Sequence, residues 1–269
     1  MTPPIPRSPL LELKDYSAKS VFQVENMLRE TRRQKGLPLL PVPAICVLDP
    51  DGDIVRRLRR EGRARPSAGW ACYHTVLDEF DLDGQTVGVI GCAVGSSFAV
   101  LVAEQLFASG CRLLISITSA GQITSLGPPP YFVLIDRALR DEGTSHHYVP
   151  PAEFSEANPE LVARVLPYLS NLPEPIHIGA SWTTDAPFRE TARAIEASRA
   201  QGIAAVEMEA AALYAFAAAR SKNVICFAHV TNQMGQTEGD FEKGEADGTA
   251  DALAVIAAVA RGTMNFSET

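Results

Sequence analysis

Residues 86–118, TVGVIGCAVGSSFAVLVAEQLFASGCRLLISIT, carry the pattern that decides the fold. An apolar, β-branched run at 86–91 leads into a glycine-bounded turn at 91–95. A helical pattern follows over 97–109, and a second apolar run occupies 112–118. Both runs are strand-length and lack polar alternation, which points to strands buried on both faces. The same alternation extends outward. Further candidate strands lie at 44–48, 131–136, 176–182, 204–207 and 224–230, and further candidate helices at 53–61, 159–170, 190–201, 210–222 and 249–261. The expected fold is α/β: a single domain with a mixed, mainly parallel central sheet flanked by helices on both faces. No internal repeat is present, and Pro128–Pro130 reads as a tight connector.

Residues 1–43 read as an N-terminal extension, leaving 44–269 as the expected catalytic domain. The extension should hold one helix running to Lys35, capped by Ser17 or Ser20, with Val21, Val24, Met27 and Leu28 on one face. Gly36 stops it, and Pro38, Pro41 and Pro43 form a stiff linker. Packing on the body or on a neighbouring subunit is the expected role of this helix.

The 269 residues are 46 % hydrophobic and 21 % charged, which excludes a disordered, collagenous or coiled-coil chain. With 24 Lys and Arg against 32 Asp and Glu, the net charge of −8 argues against general nucleic-acid binding and for small-molecule chemistry. Cys46, Cys72, Cys92, Cys111 and Cys226 form no Cys-x-x-Cys pair and share no metal-like spacing with the histidines. They are expected as reduced thiols in the cytoplasm. No leader pattern and no apolar run of about 18 residues is seen, so no membrane association is expected.

Sheets of this kind bind ligands at the carboxyl ends of their strands. The first strand ends in Asp49-Pro50-Asp51-Gly52-Asp53, where Gly52 can let the backbone approach an anion and Arg56 can fold back onto it one turn later, or which forms a surface turn before a solvated basic helix. Gly91–Gly95 offers a second anion nest. Ser116–Gly121 presents hydroxyls and a glycine that suit phosphate or sugar oxygens, or turn amides. The paired His146 and His147 lack a third ligand, so no metal is expected. Trp182 and Phe188 can stack on a planar ring or pack in the core. Glu207, Met208 and Glu209 place two acids around a thioether in an apolar strand-to-helix junction. Buried acids need partners. Sugar hydroxyls would supply them, and capping of the helix by Glu209 is the alternative. Asn232 can read adjacent positions on a base, or make an Asx-turn.

In this order and spacing, the segments from about residue 44 to 261 resemble the nucleoside phosphorylase family, which includes hexameric purine nucleoside phosphorylase, uridine phosphorylase and the methylthioadenosine nucleosidases. The Val-Glu-Met-Glu-Ala segment at 206–210 is the most specific feature. Asp185, the glycines at 91–95 and Asn232 agree in position, and the run at 141–148 is similar to the Asp-Gly-Ala-Ser-x-His-Phe stretch of uridine phosphorylases. The resemblance implies Gly52, Arg56, Gly95 and Ser119 as phosphate contacts. It implies Met208, Glu209, Glu207 and His147 around the ribose, and Phe188, Gly121 and Asn232 around the base. Glu209, Asn232 and Arg56 would carry catalysis: Arg56 on the phosphate, Glu209 on the 2′- and 3′-hydroxyls, Asn232 on the leaving base. It implies no cofactor, inorganic phosphate as co-substrate, and a homo-oligomer built from dimers, up to a hexamer.

The sequence departs from the family at three places. Its third-strand phosphate arginine falls at Ser116. Its subunit-crossing arginine falls near Tyr73–His74. The Gln-x-Arg pair that reads uracil is absent after Phe188. The expected reaction is therefore phosphorolysis of a nucleoside, purine rather than uridine, to free base and ribose 1-phosphate. Hydrolysis, with Asp49, Asp51 or Glu207 near the water, and non-catalytic nucleoside binding remain alternatives.

Overall fold

Ile45–Asp49 (β1) is buried along its whole length. Ile45 and Val47 enter one hydrophobic core, while Cys46 and Leu48 enter the other. This two-sided burial accounts for the uninterrupted apolar run. The computed structural model describes residues 8–234, 238–241 and 243–263. The proline-bearing stretch 1–7 and the last residues of the expected domain, 264–269, lie outside the described residues.

Beyond β1, the elements are α1 (Val24–Lys35), α2 (Asp53–Arg60), β2 (Arg65–Pro66), β3 (Asp78–Leu82), β4 (Gln85–Gly91), α3 (Ser96–Ala108), β5 (Leu113–Gln122) and β6 (Tyr131–Asp141). Then come β7 (Phe154–Glu156), α4 (Pro159–Leu169), β8 (Ile176–Thr184), α5 (Ala192–Ala200), β9 (Ile203–Glu207), α6 (Ala210–Arg220), β10 (Asn223–Asn232) and α7 (Thr249–Thr263). One core lies between the sheet and the helices α3 and α6, the other between the sheet and α2, α4 and α7. The fold is thus mixed α/β, with helices on both faces.

The long pairings are parallel: β5 with β10, β6 with β8, and β1 with both β4 and β5. The antiparallel ones join β10 to β6, β2 to β3, β3 to β4, β5 to β9 and β6 to β7. The sheet also curls into a ring, because β5 pairs with β10 on one side and, through Gly121 and Gln122 alone, with β9 on the other. The ring runs β5, β10, β6, β8, β9 and back to β5, and β1, β4, β3 and β2 extend from it. The sequence pattern ends the third strand at Thr118. The strand continues to Gln122 because the small residues Ser119, Ala120 and Gly121 fit between two neighbours. Three strands escaped the sequence pattern, β2, β3 and β7, which are short or carry charged residues.

In the N-terminal extension the helix starts later than its serines predicted. Gln23 precedes α1 and makes no side-chain cap. Ser17 instead bonds Asp15, and Ser20 Oγ donates to the Phe22 carbonyl. Val21 is fully exposed, whereas Leu28 is buried. Gly36 ends the helix in the left-handed conformation, as expected. The helix lies on the body of its own chain: Lys35 Nζ donates to the Cys72 carbonyl at 2.7 Å, and Arg32 reaches the Gly69 carbonyl and Ser109.

The helix α6 is buried from Ala210 through Phe216 and packs on β6, β8 and β10. Tyr214 ties it to the sheet. Its hydroxyl donates to the Ile135 carbonyl at 2.6 Å and accepts from the Cys226 amide at 3.0 Å. Replacing Tyr214 with Phe leaves a buried donor and a buried acceptor unpaired, at a cost of about 1–3 kcal/mol. Thermal or denaturant unfolding of Tyr214→Phe should therefore show a clear loss of stability.

Candidate active site

The N-terminus of α6 is built from the two acids of the 206–210 segment, which divide the work. Glu207 Oε2 accepts from the amides of Glu209 and Ala210, each at 2.7 Å. Its Oε1 accepts from Ser181 Oγ at 3.0 Å and from Thr183 Oγ1. Thr183 Oγ1 also accepts from the Ala211 amide at 2.9 Å. The first free amides of the helix are thereby satisfied. Glu207 is the capping acid, the role that sequence reading had left open for Glu209. Its oxygens, expected at the ribose, are already fully engaged.

Glu209 is thus left for other work. Its Oε1 accepts from the Gly95 amide at 2.7 Å, at the start of α3. Its Oε2 is buried and, among the described residues, makes no hydrogen bond of regular geometry; the Thr118 hydroxyl, on the same cavity wall, interacts with the carboxyl. Burial, reinforced by the charge of Glu207, pushes Glu209 up to about 8. Ser96 Oγ donates to the Met208 carbonyl at 2.8 Å and locks α3 to this turn.

At the end of β1 a second acidic cluster forms. Buried Asp49 caps α2, accepting from the Gly52 amide at 3.1 Å and the Val55 amide at 3.0 Å. Burial pushes Asp49 up to about 6. Gly52 sits at φ +78°, the left-handed region that favours glycine, and the Arg56 guanidinium folds back over it. Arg56 donates to the Asp51 carbonyl at 2.8 Å and pairs with Asp53. Lys243 Nζ stands 2.6 Å from Asp53 and 3.6 Å from Asp51. Burial alone would raise Asp53, but Lys243 and Arg56 outweigh it and hold the group below the usual carboxylate range. Asp51 Oδ2 accepts from the Ser119 amide at 2.8 Å.

These elements converge on a cavity of about 310 Å³, within the usual size of small-molecule sites. Its wall includes Ser119, Gly121, Phe188, Glu207, Met208, Glu209 and Asn232 of the expected residues, and adds Asp51, Glu190, Met234 and Phe241. Asp51 and Ser119 separate it from a second space of about 20 Å³, the size of one water molecule, which Asp53, His229 and Lys243 also line. Gly95 joins the site through its bond to Glu209. Gly52 and Arg56 flank Asp51 at the rim.

Other expectations are redirected. The amides of Gly52, Gly95 and Ser119, expected to hold phosphate, all donate to carboxylates of the chain itself. Asn232 makes the Asx-turn: its Oδ1 accepts from the Met234 amide at 2.9 Å while its Nδ2 points to the Ala120 carbonyl. His147 is not on the cavity wall; exposed, its Nδ1 lies 2.8 Å from Lys14 Nζ of the N-terminal segment. Trp182 is a buried core residue bonded to Asp141, whereas Phe188 is wholly exposed at the cavity mouth. Ser116 is buried away from the cavity. His146 bonds Arg140. Among the described residues, no three His, Cys, Asp or Glu side chains are grouped to hold a metal ion, and no helix is long and apolar enough to cross a membrane.

Sequence reading missed Lys243 and Glu190. The signal for Lys243 was a single cation in an acidic, glycine-rich stretch. For Glu190 it was an acid two residues beyond an aromatic with nothing to pack on.

The two buried acids link stability to pH. The folded chain holds protons on Glu209 and Asp49 up to about 8 and about 6, whereas the unfolded chain releases them near 4.5 and 3.8. The native state binds more protons across those windows, so stability falls as pH rises through them. The melting temperature should decline from about pH 5 to about pH 8. In Glu209→Gln the decline between about pH 7 and about pH 8 should flatten, as differential scanning fluorimetry across a pH series would show.

The phosphorylase superfamily model matches residues 45–262. Purine nucleoside phosphorylase from Toxoplasma gondii, in complex with immucillin-H, superposes with a TM-score of 0.73 at 15 % identity, over 93 % of this chain and 100 % of that one. Uridine phosphorylase from Vibrio fischeri ES114, complexed with 6-hydroxy-1-naphthoic acid, superposes with a TM-score of 0.70 at 19 % identity, over 83 % of this chain and 91 % of that one. A comparison with curated proteins finds no match. A family model spanning most of the chain, on a fold shared with both kinds of enzyme, establishes that this protein belongs to the phosphorylase superfamily, whose nucleoside phosphorylases are pentosyltransferases.

Proposed function

We propose that the protein cleaves the N-glycosidic bond of a purine nucleoside and transfers the pentosyl group to phosphate. The observation that carries this reading is the buried Oε2 of Glu209, without a hydrogen bond of regular geometry, beside Met208 on the cavity wall. A buried carboxylate oxygen short of donors is costly, and a diol on a pentose supplies two donors. The Met208 thioether suits the apolar face of the sugar. Donation from the diol favours the carboxylate form of Glu209, which then orients the ring and, once charged, stabilises C1′ as it gains positive character. The absence of a Gln-x-Arg pair after Phe188 supports purine over uracil.

Phosphate would approach from the Asp51 side, where Arg56 and Lys243 supply positive charge. To reach the Ser119 amide it must displace the Asp51 carboxylate, itself an anion on the amide expected to take phosphate. The same observation favours a second reading, in which water is the acceptor and Asp51 the base that activates it, next to a space of one water's size. The chain's own residues bind and orient in either case, and no step requires a cofactor. We also propose that residues 1–43 are an extension outside the catalytic domain, since the family match begins at residue 45.

Two measurements decide. Glu209→Ala should lower turnover of inosine or adenosine by about 10²–10³-fold while the protein still folds. Near-normal turnover would remove Glu209 from the reaction. For the acceptor, sugar products are identified with and without phosphate. Ribose 1-phosphate formed only with phosphate fits the first reading, and Asp51→Asn should then lower KM for phosphate by removing the competing charge. Free ribose regardless of phosphate fits the second, and Asp51→Asn should then abolish turnover.

A further inference from the structure

Breaking an N-glycosidic bond leaves an electron pair on the departing base, and a purine leaves readily only once a ring nitrogen is protonated. Asn232 lies on the cavity wall, but an amide is no acid, and its two ends are taken by the Met234 amide and the Ala120 carbonyl. One other side chain on the same cavity wall can hold a proton and belongs to neither the α6 turn nor the β1 turn. Glu190 follows the short turn Pro187–Arg189, two residues after Phe188, and lines the cavity with Phe188, Met234 and Phe241. Among the described residues its carboxyl has no hydrogen-bond or ion-pair partner.

We propose that Glu190 is the acid that protonates the leaving purine. The assignment rests on the nucleoside-cleaving reading above. In the step, the C1′–N9 bond breaks with its electron pair passing to the base. The Glu190 proton moves to the imidazole-edge ring nitrogen, and an oxygen of the acceptor bonds C1′. Glu190 remains as a carboxylate, which solvent reprotonates after the base departs. Burial against this wall raises the Glu190 carboxyl to about 7, so a neutral acid persists near neutral pH. The other ionisable groups on the wall are Asp51, Glu207 and Glu209, and Arg189 precedes Glu190 in the chain.

The test compares two substrates that share a sugar: inosine, and 4-nitrophenyl β-D-ribofuranoside, whose phenolate leaves without a proton. Glu190→Gln should slow inosine cleavage by about 10²–10⁴-fold and leave the nitrophenyl riboside within about threefold of wild type. The kcat/KM of the wild type for inosine should also fall above about pH 7, and this limb should be missing for the riboside, which shares Glu209 but does not need Glu190. Equal losses on both substrates would assign Glu190 a merely structural role, and an undiminished rate on inosine would remove it from the chemistry; either overturns the assignment. A wild type that cleaves the riboside and not inosine overturns the assignment but spares the glycosidic reading. One that cleaves neither overturns both. A melting temperature matching the wild type certifies that Glu190→Gln is folded.

Discussion

The site depends on one place where three strands meet. At Gly121, β5 pairs with Asn232 of β10 on one side and Val206 of β9 on the other. A Cβ there would come within 3.1 Å of Val206 Cγ1 and 2.6 Å of Met234 Sδ. Glycine at this position leaves room for the Val206 and Met234 side chains to close over the junction. The closure brings the ends of three strands to a single mouth: Ser119 from β5, Glu207 and the following Glu209 from β9, and Asn232 from β10. The strands converge because the ring closes, and the ring closes because three small residues follow Thr118.

Electrostatics then sets what the mouth can hold. On the α6 side, one acid is saturated with donors and the other is half free. On the α2 side, Asp49, Asp51 and Asp53 face Arg56 and Lys243. This is an unusual neighbourhood for a multiply charged anion, since negative charge already sits on the backbone donors. A ligand entering here competes with the protein's own carboxylates, and the positions of Asp51 and Lys243 govern that competition.

Much of the layering was legible in the sequence. Apolar runs such as 45–48 and 113–117 alternate between two cores, and no other arrangement buries both faces. The 206–210 segment was readable as a site because acids in apolar surroundings demand partners. The division of labour between Glu207 and Glu209 was not readable, because it depends on Ser181 and Thr183 arriving from β8. The ring was not readable either, since a two-residue antiparallel contact leaves no periodic trace. Asn232 illustrates the same limit. Its residue type fits both base reading and turn formation, and only the position of Met234 chooses. His147 misled because its partner, Lys14, lies in a segment remote in sequence.

The half-satisfied Glu209 has a consequence for the life of the protein as well as for its chemistry. An acid buried next to a second acid costs stability, so the protein is less robust than its packing alone would allow. A guest that brings hydroxyls offsets that cost and shifts the folding equilibrium toward the native side. How much of the chain survives turnover in a cell is thereby tied to the supply of what it acts upon.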